Sequence, residues 1–481
     1  MILPLLLQAQ QTAAERFEAI RGGLDLPLAT RLTGVIGIVV MIGLATLLSY
    51  DRKRINWRLV ASGVALQVVF GLLVLKTGAG RAVFETLGNW ITALLGFQEE
   101  GARFVFGNLV NNTVPVGLPD GAGGVDASAG MVASTGSFFA FNVLPTIIFF
   151  SALMSVLYYL GVMQLVVKGL AWGMQKTLRT SGAETLSASG NIFLGQTEAP
   201  LLIKPFVGTM TRSELATVMV GGFATVAGGV LAAYVGMLSG MLPGIASHLL
   251  AASVMNAPAG LYLSKILLPE TETPATAAGL PDTLEASRAE VDKLETPRRF
   301  RLRRTGTSEG SAIEAAANGA AQGVQLAINV GAMLMAFVAL VALINALLGW
   351  GGGLVGADGL SLQSILGFVL RPVAWAMGVP WHDTAYVGSL IGLKTALNEF
   401  VAYAQFASDL GSGVALDPRS ALIATYALLG FANFSSIAIQ IGGIGGIAPS
   451  RRSEIASLGL RAMIAGNLAA FISASLAGML A

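Results

Sequence analysis

The sequence predicts an all-α, polytopic membrane protein, and three observations carry that expectation. Of its 481 residues, 54% are hydrophobic before the 60 glycines are counted, whereas ordinary soluble domains reach about 45–50% with glycine included. Charged residues make up 12%, against about 25% in such domains. Sixteen of the 56 charged residues lie between Pro269 and Ala315, so the remainder is poorer still and cannot cover a water-facing surface. Disorder is excluded by the same numbers, because there is abundant apolar material to bury. A net charge of +2 provides no field for nucleic acid. Cysteine is absent and the only histidines, His248 and His382, are far apart. Disulfides and thiolate chemistry are thereby excluded, and a His-based metal centre is not expected.

About 20 apolar residues cross a bilayer as a helix. The uncharged runs 32–50 and 59–75 are the first two spans. Residues 81–97 alternate less cleanly and carry Arg81 and Glu85, which predicts an amphipathic helix in the membrane interface. A Gly-rich polar stretch follows, from Asn111 to Ser137, and residues 138–160 form the third span. Residues 215–264 contain no Asp, Glu, Lys or Arg, enough for two spans separated at Leu242-Pro243-Gly244. Residues 320–349, 420–441 and 455–480 bring the count to about eight.

Charge placement agrees with that count. Arg52, Lys53, Arg54 and Arg58 follow the first span, making that loop cytoplasmic. With eight spans, the loops after spans three, five and seven fall on the same side. They contain Lys168, Lys176 and Arg179, then the basic run 298–304, then Arg451 and Arg452. The opposite loops carry Glu99, Glu100, Asp120, Asp126 and Asp383. Both termini are then expected outside.

Two stretches do not fit as spans. Residues 181–206 hold Glu198 and Pro200 among apolar neighbours, and residues 384–408 hold Lys394 and Glu399. Such backbone is tolerated at membrane depth only where protein buries it or it lines a cavity, so both are read as re-entrant hairpins. The first is followed by Gly222-Phe223-Ala224-Thr225 and the second by Gly430-Phe431-Ala432-Asn433. Span, acidic hairpin, then span with Gly-Phe-Ala-polar thus occurs twice, in opposite orientations. Inverted repeats with broken helices are an architecture of secondary transporters, with substrate near the midplane. The chain divides into an N-terminal extracytoplasmic segment (1–31) and a scaffold part with the interfacial helix and periplasmic loop (32–137). The first repeat unit (138–241), a fifth span with a charged cytoplasmic loop (242–317), the second repeat unit (318–450) and the last span (451–481) follow.

A charge at the bilayer centre costs at least about 2.5–3.5 kcal/mol on insertion scales, so Glu198 and Glu399 are expected to face a cavity. The plainer alternative pairs them with Lys204 or Lys394, unless those lysines reach an interface. Around them stand the neutral groups Gln196, Thr197, Thr225, Asn398, Asn433, Ser435 and Ser436. Carboxylates accept from hydroxyls, and an amide reads a donor–acceptor edge; the set suits a neutral polyhydroxylated or amide-bearing solute. Phe223 and Phe431 either offer a ring face or simply pack. The pairs Gly221-Gly222, Gly228-Gly229, Gly442-Gly443 and Gly445-Gly446 permit close helix packing or an unwound helix whose carbonyls hold a small cation. Asn191, Thr225 and the carbonyls near Leu194 and Val226 would make such an all-oxygen Na⁺ site. A membrane-embedded enzyme would need a nucleophile or metal set that the sequence lacks.

Three strings, in order, resemble the concentrative nucleoside transporter family. They are Gly190-Asn191-Ile192-Phe193-Leu194-Gly195-Gln196-Thr197-Glu198-Ala199-Pro200, Asn398-Glu399-Phe400-Val401-Ala402-Tyr403, and Gly430-Phe431-Ala432-Asn433-Phe434-Ser435-Ser436-Ile437. The resemblance spans roughly 32–480. It implies concentrative nucleoside import coupled to Na⁺, or in some members H⁺, by a homotrimer with a mobile transport domain in a bacterial inner membrane. No cofactor beyond the coupling ion is implied. By matching positions, Gln196, Thr197, Glu198 and Val230 would contact the base. Glu399, Asn433 and Ser436 would bind the ribose, and Phe431 would line the pocket. Na⁺ would fall on Asn191, Leu194, Thr225 and Val226. The residues alone leave open a Na⁺ symporter for another neutral polar solute.

Overall fold

In a computed structural model, the described residues are Phe17, Leu24, 27–111, the backbone of short strands between 113 and 134, 139–277, and 310–480 without positions 355 and 358. Asp120, the run 298–304 and most of 1–31 lie outside them.

Helices α1 (Leu28–Leu47) and α2 (Trp57–Lys76) coincide with the first two expected spans. α3 (Gly78–Phe106) covers the amphipathic stretch, and at 29 residues it is longer than expected. One side of it buries Gly80, Gly88, Gln98 and Ala102, while Trp90, Phe97 and Phe104 are exposed. The Gly-rich stretch holds four short strands that the sequence reading did not contain. β1 (Thr113–Pro115) pairs antiparallel with β4 (Val132–Ser134), and between them β2 (Leu118–Pro119) pairs with β3 (Val125–Asp126). Strands of two or three residues are too short to leave a period-two signature.

The third expected span begins as a single helical turn, Phe139–Asn142, before α4 (Leu144–Tyr159). Gly161, at φ 81°, then turns the chain into α5 (Val162–Leu178). The first hairpin enters as α6 (Gly182–Gly190), turns through 191–198, and returns as a 3₁₀ turn over Ala199–Ile203. The two limbs pack closely: a Cβ on Gly190 would stand 2.6 Å from Leu202. α7 (Arg212–Ala224) and α8 (Gly228–Leu238) are one apolar helix interrupted at 225–227, where Thr225 is extended. The break expected at Leu242-Pro243-Gly244 is present, with Gly244 at φ 73° ahead of α9 (Ile245–Leu267).

The second half runs in the same order. α10 (Ala312–Leu354) has 43 residues, about 64 Å at 1.5 Å per residue, well beyond the 320–349 expected. α11 (Leu362–Ala376) comes next. The second hairpin is α12 (Thr384–Ala396) and α13 (Glu399–Gly411), broken at Leu397-Asn398. α14 (Pro418–Leu428) and α15 (Phe434–Ile447) are again one helix interrupted, and α16 (Arg452–Leu480) ends the fold.

Six helical stretches among the described residues are long and apolar enough to cross a membrane. Burial separates them into two layers. Within its apolar window, α16 is 89% buried and α7–α8 83%, whereas α10 is 17% buried and α1 22%. An apolar helix that its own protein covers belongs to the centre; one left bare faces lipid or another protein. α7–α8 and α16 are therefore central, and α1, α2, α4 and α10 are peripheral.

The repeat is visible in hydrogen bonds as well as in element order. The carbonyl of Ala224 accepts from Asn256 Nδ2 on α9 at 2.7 Å. The carbonyl of Ala432, at the matching position of the second Gly-Phe-Ala triplet, accepts from Asn467 Nδ2 on α16 at 2.9 Å. Each break thus exposes a carbonyl that a buried asparagine of the next long helix satisfies, as a water-excluded backbone group requires. The two breaks also touch: Phe431 N donates to Thr225 O at 3.3 Å. Gly430, at φ 108°, makes that crossing possible, because a Cβ there would sit 2.7 Å from the Phe223 carbonyl.

Candidate substrate and ion site

Both hairpins turn, and both long helices break, around one cavity. It holds about 750 Å³ of free space including its open mouth. Gln196, Thr197 and Glu198 from the first hairpin, Val230 from α8, Glu399 from the second hairpin, and Phe431, Asn433 and Ser436 from the second break all line it. The structure brings together all eight residues expected there from sequence, across more than 200 positions of chain.

The second-hairpin side is tightly built. Glu399 is the first residue of α13, where unpaired helix amides favour a carboxylate. Its Oε1 accepts from Tyr234 Oη at 3.0 Å and its Oε2 from Asn433 Nδ2 at 2.8 Å. Asn433 caps α15: its Oδ1 accepts from Ser436 N at 2.9 Å and Ser435 Oγ at 2.7 Å. Asn398 caps α13 in the same way, accepting from Val401 N at 2.8 Å. With Glu399 4% exposed and Asn433 1%, each orients the other.

The first-hairpin side is more open. Glu198 is exposed to the cavity and, among the described residues, accepts only Gly195 N, at 3.2 Å. Gln196 is held at both ends, donating to Ser436 Oγ at 3.1 Å and accepting from Gln440 Nε2 at 3.1 Å. Gln440 also donates to the Met219 carbonyl of α7 at 3.1 Å. Neither glutamate has an ion pair among the described residues. Lys204 is exposed, and Lys394, fully buried, donates to the carbonyls of Ala427 and Leu429 at 2.9 and 3.1 Å, closing the end of α14. The plainer pairing with lysine is thereby set aside.

Asn191 ends α6 and is wholly buried, yet among the described residues neither Oδ1 nor Nδ2 has a hydrogen-bond partner. Orphaned buried amides are costly and call for an explanation. Beside it, a Cβ on Gly221 of α7 would come within 3.1 Å of Asn191 Nδ2. Thr225 and Val226 form the break at the end of that helix, and the Thr225 hydroxyl proton is directed to the Gly221 carbonyl at 2.9 Å. Oxygen ligands without acidic residues suit a monovalent cation, and among the described residues no cluster of His, Asp and Glu would hold a transition metal.

Some expectations resolve differently. Phe223 is fully buried, packs against Gly466 and is absent from the cavity wall; of the two aromatics only Phe431 lines it. The glycine pairs are not themselves unwound. Gly443 admits Thr197 and Gly445 admits Arg452 in close contact, and the break falls between the first two pairs. Four wall residues of α10 went unnamed in the sequence reading, namely Leu326, Val330, Met333 and Leu334, as did Tyr234.

Comparison with known proteins bears on the family and the fold. The sodium-dependent nucleoside transporter N-terminal model matches residues 36–109, a nucleoside-recognition (gate) model 140–241, and the sodium-dependent nucleoside transporter C-terminal model 248–478. Sodium/nucleoside cotransporter 1 of Mus musculus is 41% identical over 463 residues, covering 94% of this chain and 64% of the mouse protein. The chain belongs to the sodium-dependent nucleoside transporter family. Its members are transporters and not enzymes. An uncharacterized transporter of Bacillus subtilis strain 168 is 46% identical over 449 residues, covering 93% of this chain and 99% of its own. Among solved structures, CNTnw in an inward-facing substrate-bound state is 42% identical, with a TM-score of 0.79 over 94% of this chain and 98% of that one. A CNTnw variant in an outward-facing state matches with a TM-score of 0.80 and 42% identity, over 94% of this chain and 98% of that one. One architecture therefore supports both states, as alternating access requires.

Proposed function

We propose that this transporter imports nucleosides by Na⁺ symport, working as a homotrimer in a bacterial inner membrane. The observation that carries the reading is the convergence of eight residues from both halves of the chain on one cavity. Gln196, Thr197 and Glu198, with Val230, recognise the base, since an amide and a carboxylate together match its donor–acceptor edge. Glu399, Asn433 and Ser436 take the ribose hydroxyls, and the Phe431 ring lies against the ligand. Na⁺ is held by Asn191 Oδ1, Thr225 Oγ1 and the carbonyls of Leu194 and Val226. The orphaned amide of Asn191 supports this assignment. The two repeat units, 138–241 and 318–450, lie in opposite senses across the membrane, and the unit bearing both hairpins moves against the peripheral helices.

Radiolabelled uridine uptake into proteoliposomes tests the reading. Accumulation is expected with an inward Na⁺ gradient and not with an H⁺ gradient or with none. Accumulation driven by H⁺ alone would transfer coupling to Glu198 or Glu399. No accumulation by folded protein under either gradient would overturn the nucleoside assignment.

A further inference from the structure

A second cavity adjoins the first, and Glu198 is part of both walls. It holds about 1,150 Å³ of free space including its open mouth, against about 750 Å³ for the first. Its polar lining comes largely from two peripheral helices, with Ser151, Ser155 and Tyr158 on α4 and Gln322 on α10. Among the described residues none of these four side chains makes a hydrogen bond, and the Tyr158 hydroxyl is buried without a partner. The Tyr158 hydroxyl is thus buried and unsatisfied, which costs stability unless something polar uses it, and the half-buried Ser151 and Ser155 hydroxyls and the exposed Gln322 amide stand around the same space. The wall that bears them is closely packed. A Cβ on Gly319 would stand 2.5 Å from Ser155 Oγ, and one on Gly323 2.7 Å from Ile148 Cα, so α10 lies directly on α4. On α10 the first cavity uses Leu326, Val330, Met333 and Leu334, and the second uses Gln322 and Leu326, one turn nearer the helix start. Charge placement puts that start at the cytoplasmic face.

We propose that this cavity is a second station for the transported nucleoside, on the cytoplasmic side of the first, where Tyr158 and Gln322 receive a ligand leaving Glu198. The proposal rests on the nucleoside reading of the first site. Because Glu198 borders both spaces, the ligand can keep one hydrogen bond while exchanging the others. The hydroxyls and amide match the sugar hydroxyls and base edge they would receive, and their position on the peripheral helices lets them hold ligand that the hairpins release.

Tyr158→Phe and Gln322→Leu test this. Neither side chain has a hydrogen bond to another described residue to lose, so the melting temperature and the equilibrium affinity for uridine should stay at wild-type values. Loss of one neutral hydrogen bond to the ligand predicts a fall of roughly three- to tenfold in the maximal rate of Na⁺-driven uridine uptake for each variant. Rates equal to wild type in both variants, while the wild-type protein binds uridine, would overturn the second station alone. So would a fall in rate matched by a fall in affinity or melting temperature, which would assign the groups to the first site or to the fold. Failure of the wild-type protein to bind uridine would overturn the nucleoside reading and the station with it.

Discussion

Glu399→Gln removes a charge without changing shape, and the surrounding hydrogen bonds dictate what the amide can do. Asn433 Nδ2 donates to one carboxylate oxygen and Tyr234 Oη to the other, at 2.8 and 3.0 Å. Asn433 cannot flip to accommodate a new donor, because its Oδ1 is committed to Ser436 N and Ser435 Oγ. The oxygen of the substituted amide must therefore face Asn433 and its NH₂ must face Tyr234. That removes an acceptor from the Tyr234 side, where a ribose hydroxyl would donate, and makes the remaining bond to sugar neutral. A hydrogen bond to a charged group contributes about 1.5–3 kcal/mol and a neutral one about 0.5–1.5. Two ribose bonds weakened by about 1–1.5 kcal/mol each give 2–3 kcal/mol, or roughly 30–150-fold in affinity. Calorimetric titration of uridine into purified protein at saturating Na⁺ measures it. A deoxy analogue lacking one ribose hydroxyl supplies the control, since its penalty should shrink in the variant. An affinity within threefold of wild type, or an unchanged analogue penalty, would refute the assignment of Glu399 to the sugar.

Three further outcomes follow from the same geometry. Asn191→Ala deletes the side-chain oxygen proposed as a Na⁺ ligand and should raise the Na⁺ concentration for half-maximal uptake about tenfold or more, with uridine affinity recovering at high Na⁺; an unchanged Na⁺ dependence would move the ion elsewhere. Gly430→Ala places a Cβ 2.7 Å from the Phe223 carbonyl at a φ of 108°, a strain of about 1–3 kcal/mol, and should lower the melting temperature measurably, whereas Gly442→Ala, with open space around it, should not. Gln440→Leu severs the amide joining Gln196 to the Met219 carbonyl, and should reduce the factor by which Na⁺ raises uridine affinity more than it reduces affinity at saturating Na⁺; titrations of uridine at several Na⁺ concentrations separate the two.

The hairpins are readable from sequence because a carboxylate in an apolar stretch has few explanations other than a cavity. The same holds for the cap asparagines, Asn398 and Asn433, whose polar chemistry marks them wherever they fall. Tyr234 and α10 leave no such mark. A tyrosine in an apolar helix is usually packing, and here it is the donor that fixes Glu399. Leu326, Val330 and Met333 form a wall only because α10 lies across the opening, which no local pattern encodes. α5 and α11 escape the sequence for another reason. At 17 and 15 residues they are too short to span, and Lys168, Lys176 and Arg371 interrupt the uncharged runs by which spans are counted. α10 is underestimated because its first turns carry polar residues such as Glu314 and Asn318, so only its apolar middle registers as a span.

Coupling between ion and nucleoside needs a physical connection, since each ligand must raise the other's affinity by the same factor. The connection here is short. Asn191 ends the helix whose turn carries Gln196, five residues on, so the same stretch of backbone bears the amides proposed to hold the ion and the substrate. Gly222 of α7 lies so close that a Cβ would stand 2.9 Å from Gln196 Cβ, and Gln440 bridges Gln196 to the same helix. The break at Thr225 then meets the other half directly through Phe431 N. An ion that binds Asn191, Thr225 and the neighbouring carbonyls would fix the turn of the first hairpin against the end of α7, which is also what holds Gln196 in place for a base. The ordering cost is then met once for both ligands, which makes binding cooperative without a long-range pathway. It also accounts for the interrupted helices, because an intact helix at 225–227 would keep its carbonyls in its own ladder and leave none to face the ion.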